Sequence, residues 1–227
     1  MKDDLRYELK FVSYDRYHHI ITNWVKSNTF NFQKAYPDRI INSIYFDNDQ
    51  LTTFNDNIPG FSRREKVRYR WYGETIKPKC GTLEIKNRKN NYGWKYLYPV
   101  KELKFENNDT WYNFIESIKK KISYDGTYYL NKYPVPTLIT RYDRAYYISS
   151  DKKLRITIDS NQKSIRQYSK IKPNFSFNVI SHNKITLEVK CNIADRNNAS
   201  ILVKNIPIRR SRHSKYVSGI VASMISQ

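Results

Sequence analysis

The sequence predicts a mainly β, α+β protein whose strands form a closed sheet with a charged interior. Three observations lead there. Lys66-Val67-Arg68-Tyr69-Arg70 sets a cation at every second position among strand-forming residues. In a strand, Lys66, Arg68 and Arg70 then share one face, and Val67, Tyr69 and Trp71 the other. Glu8-Leu9-Lys10, Glu84-Ile85-Lys86 and Glu188-Val189-Lys190 repeat a Glu-x-Lys pattern in apolar, strand-like surroundings. Arg155-Ile156-Thr157-Ile158-Asp159 is a related pattern. One Glu-x-Lys is an ordinary cross-strand ion pair on a wet face. Several strands that each aim charge to one side and apolar groups to the other imply one shared charged surface.

The chain has 227 residues, enough for one large domain or two small ones. With no repeat, linker or break in composition, a single domain over 1–227 is the simplest reading. Lys and Arg number 41 against 21 Asp and Glu, a net charge of +20. Such an excess implies polyanionic partners: phosphates, nucleic acid or an anionic membrane surface. The cations fall at strand spacing, not in tails. Cys80 and Cys191 are isolated, which excludes a zinc knuckle and leaves a disulfide framework without support. Reduced thiols and a cytoplasmic location are expected. Met1-Lys2-Asp3-Asp4 opens without an apolar signal core, and no apolar run approaches the roughly 20 residues that span a bilayer.

In chain order, Arg6 to Ser13 reads as a strand, with Arg6, Glu8 and Lys10 on one face. Asp15 is placed to cap a helix with Tyr17, Ile20, Ile21, Trp24 and Val25 at helical spacing. His18 and His19 are neighbours on it and face different ways, so they read as structural and not as a metal pair. Ile40 to Phe46 is a strand, Asp47-Asn48-Asp49 a turn, Leu51 to Asn55 a short edge strand and Asn57 to Phe61 a loop. The Lys66–Tyr72 strand, a turn at Gly73, the Thr82–Lys86 strand, a polar loop over Asn87 to Gly93 and the Trp94–Val100 strand form an antiparallel meander. Asp109 caps a second helix with the stripe Trp111, Phe114, Ile115, Ile118 and Ile122. Lys119, Lys120 and Lys121 lie at its C-terminal end, as the helix dipole favours. Pro134 and Pro136 break the chain. Thr140 to Ile148 and Leu154 to Asp159 form a hairpin. Ser160 to Lys184 is polar and carries little signal. Lys184 to Cys191 is a strand, Asp195 to Ile206 a short helix, and Ser214 caps a last helix with Val217, Ile220, Val221 and Met224 on one face.

The candidate inward cations are Arg6, Lys10, Lys66, Arg68, Arg70, Lys86, Lys95, Arg141 or Arg144, Arg155, Lys190 and Lys215. The carboxylates are Glu8, Glu84, Asp159 and Glu188. Buried charge of this density is prohibitive without compensation. A closed barrel holds it only if wide, wet and loaded with an anion. A triphosphate or polyphosphate brings several negative charges in a row, which Arg and Lys bind well. Carboxylates among the cations suit a hard divalent metal, Mg²⁺ or Mn²⁺, or orient the cations. Ser214-Lys215 adds free backbone N–H groups at a helix start beside a lysine.

The order of these motifs resembles a known family. Arg6-Tyr7-Glu8-Leu9-Lys10-Phe11, Ser43-Ile44-Tyr45-Phe46-Asp47, Lys66-Val67-Arg68-Tyr69-Arg70, Leu83-Glu84-Ile85-Lys86, Tyr142-Asp143-Arg144, Leu154-Arg155-Ile156-Thr157-Ile158-Asp159, Leu187-Glu188-Val189-Lys190 and Ser214-Lys215-Tyr216 are similar to the VTC domain. That is the catalytic domain of the vacuolar transporter chaperone polyphosphate polymerases, within the triphosphate tunnel metalloenzyme superfamily. The resemblance runs from about residue 5 to 220. It implies a closed eight-stranded antiparallel tunnel barrel with flanking helices, including one at the C-terminus. It also implies that the terminal phosphate of ATP is transferred to inorganic polyphosphate with Mn²⁺ or Mg²⁺. By the same resemblance Lys10, Arg68, Arg70, Lys86, Arg144, Arg155 and Lys215 act on the reacting phosphates. Arg6, Lys66, Lys95, Lys190 and Ser214 bind phosphate or nucleotide, and Glu188, with Glu8 or Glu84, holds the metal. The Tyr-x-Arg match favours Arg144 over Arg141.

Tunnel triphosphatases usually begin Glu-x-Glu-x-Lys. Here Arg6 takes the place of the first Glu, which favours phosphate binding over two-metal hydrolysis. Yeast-type polymerases attach a phosphate-sensing SPX domain and membrane helices. This sequence contains neither, so translocation would need a membrane-protein partner. Competing readings are a tunnel triphosphatase, a non-catalytic polyphosphate-binding module, and a nucleic-acid binder using Tyr stacking and Arg209-Arg210-Ser211-Arg212. The last has no nucleic-acid motif behind it, and no nucleic-acid partner is expected.

Overall fold

The computed structural model describes residues 6–89, 92–106, 108–211 and 213–225, with the side chains of Arg6 and Tyr92 outside that set. Met1 to Asp4, Asn90, Asn91 and Arg212, which the sequence reading used, lie outside the described residues.

The elements are β1 (Arg6–Tyr14), α1 (His18–Lys26), β2 (Gln33–Asp47), α2 (Thr52–Asn57), β3 (Arg63–Tyr72), β4 (Gly81–Lys89), β5 (Tyr92–Val100), α3 (Trp111–Lys119) and α4 (Tyr124–Lys132). Then follow β6 (Val135–Ile148), β7 (Arg155–Arg166), β8 (Ile180–His182), β9 (Lys184–Asn192), α5 (Arg196–Lys204) and α6 (Lys215–Ile225). The strands form a nine-stranded sheet in the order β1-β9-β7-β6-β2-β3-β4-β5, with short β8 on β7 outside that path. The β1–β9, β7–β9, β2–β3, β3–β4 and β4–β5 pairings are antiparallel. The sheet has nine strands where eight were expected, eight of them on the continuous path, and α6 is the expected C-terminal helix. Among the described residues no helix is long and apolar enough to cross a membrane.

The chain divides into two compact units, with divisions falling inside β2, β6, β7 and β8. The first comprises Met1–Ile40, Tyr142–Gln162 and Ser181–Ser214. Its core joins Leu9 and Phe11 of β1, Ile156 and Ile158 of β7, and Ile185, Leu187 and Val189 of β9 to Ile21 and Val25 of α1 and Ala199 and Leu202 of α5. The second comprises Ile41–Arg141, Lys163–Ile180 and Lys215–Gln227. In its core Val67, Tyr69 and Trp71 of β3 and Leu83 and Ile85 of β4 pack with Trp111, Phe114, Ile115 and Ile118 of α3 and Leu130 of α4. The apolar strand face is therefore the helix-covered one in both units, which leaves the charged face to serve something other than the core.

Several elements depart from the sequence reading. Leu51 to Asn55 is not an edge strand but leads into α2. Asn48 Oδ1 accepts from the Thr52 N–H at 3.0 Å, Asp47 Oδ1 from Thr53 at 2.9 Å and Asp47 Oδ2 from Phe54 at 3.0 Å. These acceptors satisfy the first N–H groups of a helix, which a strand would have left to a ladder partner. Asp15 does not cap α1. It opens a 3₁₀ turn over Asp15–Tyr17, and α1 starts at His18. Both histidines there are exposed. Thr110, not Asp109, caps α3 through Asn113 N–H at 3.2 Å, while the Asp109 carboxylate accepts from Glu106 N–H at 2.7 Å. Strands replace most of the expected Asn87–Gly93 loop. The hairpin strands extend to Val135–Ile148 and Arg155–Arg166, the latter claiming part of the illegible stretch. Helix α4 was not expected. It lacks an apolar stripe and carries Gly126, where a Cβ would stand 3.1 Å from the Tyr98 ring.

Candidate functional site

Strand register places the charged residues in rows. In the second unit, β3–β4 pairs Lys66 with Lys86, Arg68 with Glu84, Arg70 with Thr82 and Arg64 with Arg88. The β4–β5 pairing continues the first row from Lys86 to Lys95. Three lysines therefore stand side by side across three strands. Opposed residues have Cβ atoms about 5 Å apart, and like charges there repel. β2 adds Ser43 opposite Arg70 and Tyr45 opposite Arg68. Across β3–β5 the face thus carries Arg64, Lys66, Arg68, Arg70, Lys86, Arg88 and Lys95 against one carboxylate, Glu84.

Glu84 holds two of these cations in place. Arg68 Nε and Nη2 donate to Oε2 at 2.9 and 2.6 Å, and Arg70 Nη1 lies 3.1 Å from Oε1. Burial alone would raise the Glu84 carboxyl, but Arg68 and Arg70, with Lys95 behind them, hold it down to about 2. Arg70 Nε and Ser43 Oγ are buried without a hydrogen-bond partner. Buried polar groups are ordinarily satisfied, so this face offers donors to an acceptor that the chain does not provide.

The first unit is more balanced. β1–β9 pairs Lys10 with Glu188 and Glu8 with Lys190. β7–β9 pairs Lys190 with Arg155 and Glu188 with Thr157. Lys10 Nζ lies between two carboxylates, 3.0 Å from Glu8 Oε1 and 2.9 Å from Glu188 Oε1. Lys190 Nζ donates to Glu188 Oε2 at 2.5 Å. Burial would lower the Lys10 ammonium, but Glu188 and Glu8 outweigh it and raise it far above its ordinary value. Arg144 makes a two-pronged contact to the fully buried Asp159, Nε to Oδ1 at 2.5 Å and Nη2 to Oδ2 at 2.7 Å. Arg141 instead turns to Glu74. The register that the sequence left open thus puts Arg144 among the carboxylates. Arg155 is exposed. Arg6 lies in β1 opposite Asn192, with its side chain outside the described residues. Ser214 and Lys215 are half-buried, and Lys215 is the first residue of α6.

Among the described residues no three metal-ligating side chains cluster. Glu84 has both oxygens on arginines. Glu8 and Glu188 share one cation, the Lys10 ammonium, so their oxygens already converge on a positive centre. Two hard carboxylates fit Mg²⁺ or Mn²⁺ when the ion brings phosphate oxygens as further ligands.

The sequence reading missed Ser43, Tyr45, Arg64 and Arg88 on the charged face. Simple alternation with Ile41 and with Lys66 would have found them. Asp47, read as a turn residue, and Tyr216 stand in the motifs that carry the family resemblance, but the sequence assigns them no role, because their roles depend on distant partners.

The family model of the VTC domain matches residues 5–224. The chain belongs to the VTC domain family. No curated protein matches it. Among solved structures, a protein from Vibrio parahaemolyticus described as a candidate adenylate cyclase aligns at 10% identity with a TM-score of 0.54, covering 97% of this chain and 99% of its own. A candidate adenylyl cyclase from Hippeastrum, described as having a dominant triphosphatase activity, aligns at 12% identity with a TM-score of 0.49 and 95% of each chain covered. The first of these likenesses supports the fold; the chemistry of the VTC chain rests on its own residues.

Proposed function

We propose that this VTC domain is a polyphosphate polymerase, a metal-dependent phosphotransferase that moves the terminal phosphate of ATP onto a growing inorganic polyphosphate chain. In this reading the whole chain is one domain and its strands close into a tunnel. The observation that carries it is the second unit's charged face. Across β3–β5, seven cations and one carboxylate, with three lysines in one row, match a linear polyanion far better than a compact neutral ligand. Lys66, Lys86, Lys95, Arg68 and Arg70 would line the phosphate path, with Ser43 Oγ and Arg70 Nε as ready donors. Lys10, Lys190, Arg144 and Arg155 would meet phosphates in the first unit, and Arg6, Ser214 and Lys215 complete the set by resemblance.

Phosphoryl transfer depends on position and charge stabilisation more than on covalent help from the protein. The end of a phosphate chain is already anionic, so the attacking oxygen needs no general base. The arginines and lysines hold donor and acceptor in line and stabilise charge on the transferring oxygens. Glu188 with Glu8 would hold Mg²⁺ or Mn²⁺, which would supply neutralisation of the charge on phosphate oxygens. A mixed face of carboxylates and cations is suited to a metal–phosphate group, and a nearly all-cationic face to bare polyphosphate. Translocation would need a membrane-protein partner.

The alternative is a tunnel triphosphatase, which the Glu8–Lys10–Glu188 cluster also suits. Incubation of the purified chain with ATP and Mn²⁺, followed by gel separation and phosphorus NMR, tests the two. A ladder of polyphosphate with ADP is expected. Orthophosphate with ADP and no ladder would replace the polymerase by the triphosphatase.

A further inference from the structure

The motif Ser214-Lys215-Tyr216 ends in a tyrosine whose hydroxyl reaches 169 residues back along the chain. Tyr216, 1% exposed, donates to Asp47 Oδ2 at 2.7 Å, and Asp47 is fully buried. The same carboxylate receives Thr53 Oγ1 at 2.7 Å and the N–H groups of Thr53, Phe54 and Asn48 at 2.9, 3.0 and 2.9 Å. Asp47 is thereby fixed by the start of α2 and serves as an anchor for α6. The Tyr216 ring stacks on Tyr45 with centroids 5.0 Å apart and planes 18° apart, and meets Phe54 edge-on at 6.3 Å. The Thr137 hydroxyl lies 3.1 Å from Tyr45 O and 3.3 Å from Tyr216 Oη. Tyr45 Oη in turn accepts from Arg68 Nη1 at 3.3 Å. Burial, then the Asp47 charge, pushes the Tyr216 hydroxyl well up, so it remains a donor.

We propose that Asp47 and Tyr216 are positioning residues that latch the start of α6, fixing Lys215 on one side and, through Tyr45, Arg68 on the other. This rests on the phosphate-binding reading of Lys215 and Arg68. The physical reason is economy of freedom. The first turn of a helix has N–H groups without intrahelical partners and frays more readily than its interior, so an anchor on the adjacent residue restrains Lys215. Here the adjacent residue is held by a charge-assisted hydrogen bond, a ring stack and an edge contact, all buried. A hydrophobic side chain at position 216 would retain the packing but lose the direction that the Asp47 bond imposes. The latch also ties two phosphate-binding groups to one element, so a shift of α6 reaches Arg68 through the stacked pair of rings.

The experiment is a double-mutant cycle on the full chain, read by calorimetric titration with inorganic tripolyphosphate. Tyr216→Phe keeps the ring and removes the hydroxyl. In the wild-type background it is expected to weaken binding at least tenfold. In the Lys215→Ala background it is expected to weaken binding less than threefold, because the residue it positions is gone. Tyr45→Phe, cycled against Arg68→Ala, supplies the same test from the other side and remains informative if Tyr216→Phe does not fold. Losses that simply multiply in both cycles, or a Tyr216→Phe protein with a lower melting temperature and unchanged affinity, would reduce the latch to a packing contact and overturn the proposal. Absence of tripolyphosphate binding by the wild-type protein would sink the phosphate-binding reading itself, and the inference with it.

Discussion

One carboxylate, Glu84, sets the geometry of two arginines, and its ionisation is therefore a stability term. Its folded value of about 2 lies below the ordinary glutamate range. A depressed carboxylate contributes stability above its unfolded value and loses it as pH falls through the folded one. The window here runs from about pH 4.5 down to about 2, and the contribution is on the order of 3 kcal/mol. Glu84→Gln should be less stable than wild type at pH 7, and its stability should fall less between pH 5 and 2; parallel acid limbs in urea titrations would show that Glu84 is not so held. Glu188 differs, because its partners are lysines that a phosphate could draw away. Glu188→Gln should weaken Mn²⁺ binding, read by electron paramagnetic resonance with tripolyphosphate present, by tenfold or more, while tripolyphosphate affinity without metal changes less. Unchanged Mn²⁺ binding would place the ion elsewhere.

At the scale of elements, the row Lys66–Lys86–Lys95 exists only because β3, β4 and β5 hold one register. A slip of one residue would send the lysines to the helix-covered face and Val67 and Ile85 to the charged one. The register is pinned on the apolar side by Tyr69, Leu83 and Ile85 under α3. It is pinned at the turn by two glycines. Gly73 leaves β3 at φ +107°, a conformation that favours glycine, and at Gly81 a Cβ would stand 2.2 Å from the Arg70 carbonyl oxygen. Gly81→Ala should therefore force β4 away from Arg70, costing about 1–3 kcal/mol and weakening tripolyphosphate binding as well. Chemical denaturation and titration read the two effects, and a neutral substitution would mean that the strands separate there more easily than their backbone contact suggests.

For the molecule as a whole, a net charge of +20 works against the compact state. In the second unit seven cations share one face of β3–β5 with a single carboxylate, where the repulsion is local and a bound polyanion would relieve it. Tripolyphosphate at millimolar concentration should raise the melting temperature by several degrees, following ligand linkage. Chloride at the same ionic strength should do much less. An equal shift with chloride would mean general screening and no built site.

Much of this was legible in the sequence because strand alternation is local. Which side of β1, β3, β4, β7 and β9 carries charge follows from period two alone, and Lys66-Val67-Arg68-Tyr69-Arg70 has no other reading as a strand. The family followed from the order of such motifs. What tertiary structure decided are the facts that need a distant partner. Leu51 to Asn55 has the composition of a strand, but the Asp47 and Asn48 side chains cap it into a helix. Arg144 and Arg141 look alike until Asp159 and Glu74 take one each. Lys66, Lys86 and Lys95 become one row only when three strands pair. Tyr216 reads as an ordinary core tyrosine until Asp47, 169 residues earlier, accepts its hydrogen bond. Local periodicity sets the faces of the strands; long-range pairing, whose entropic cost is repaid only on folding, sets which charged groups meet.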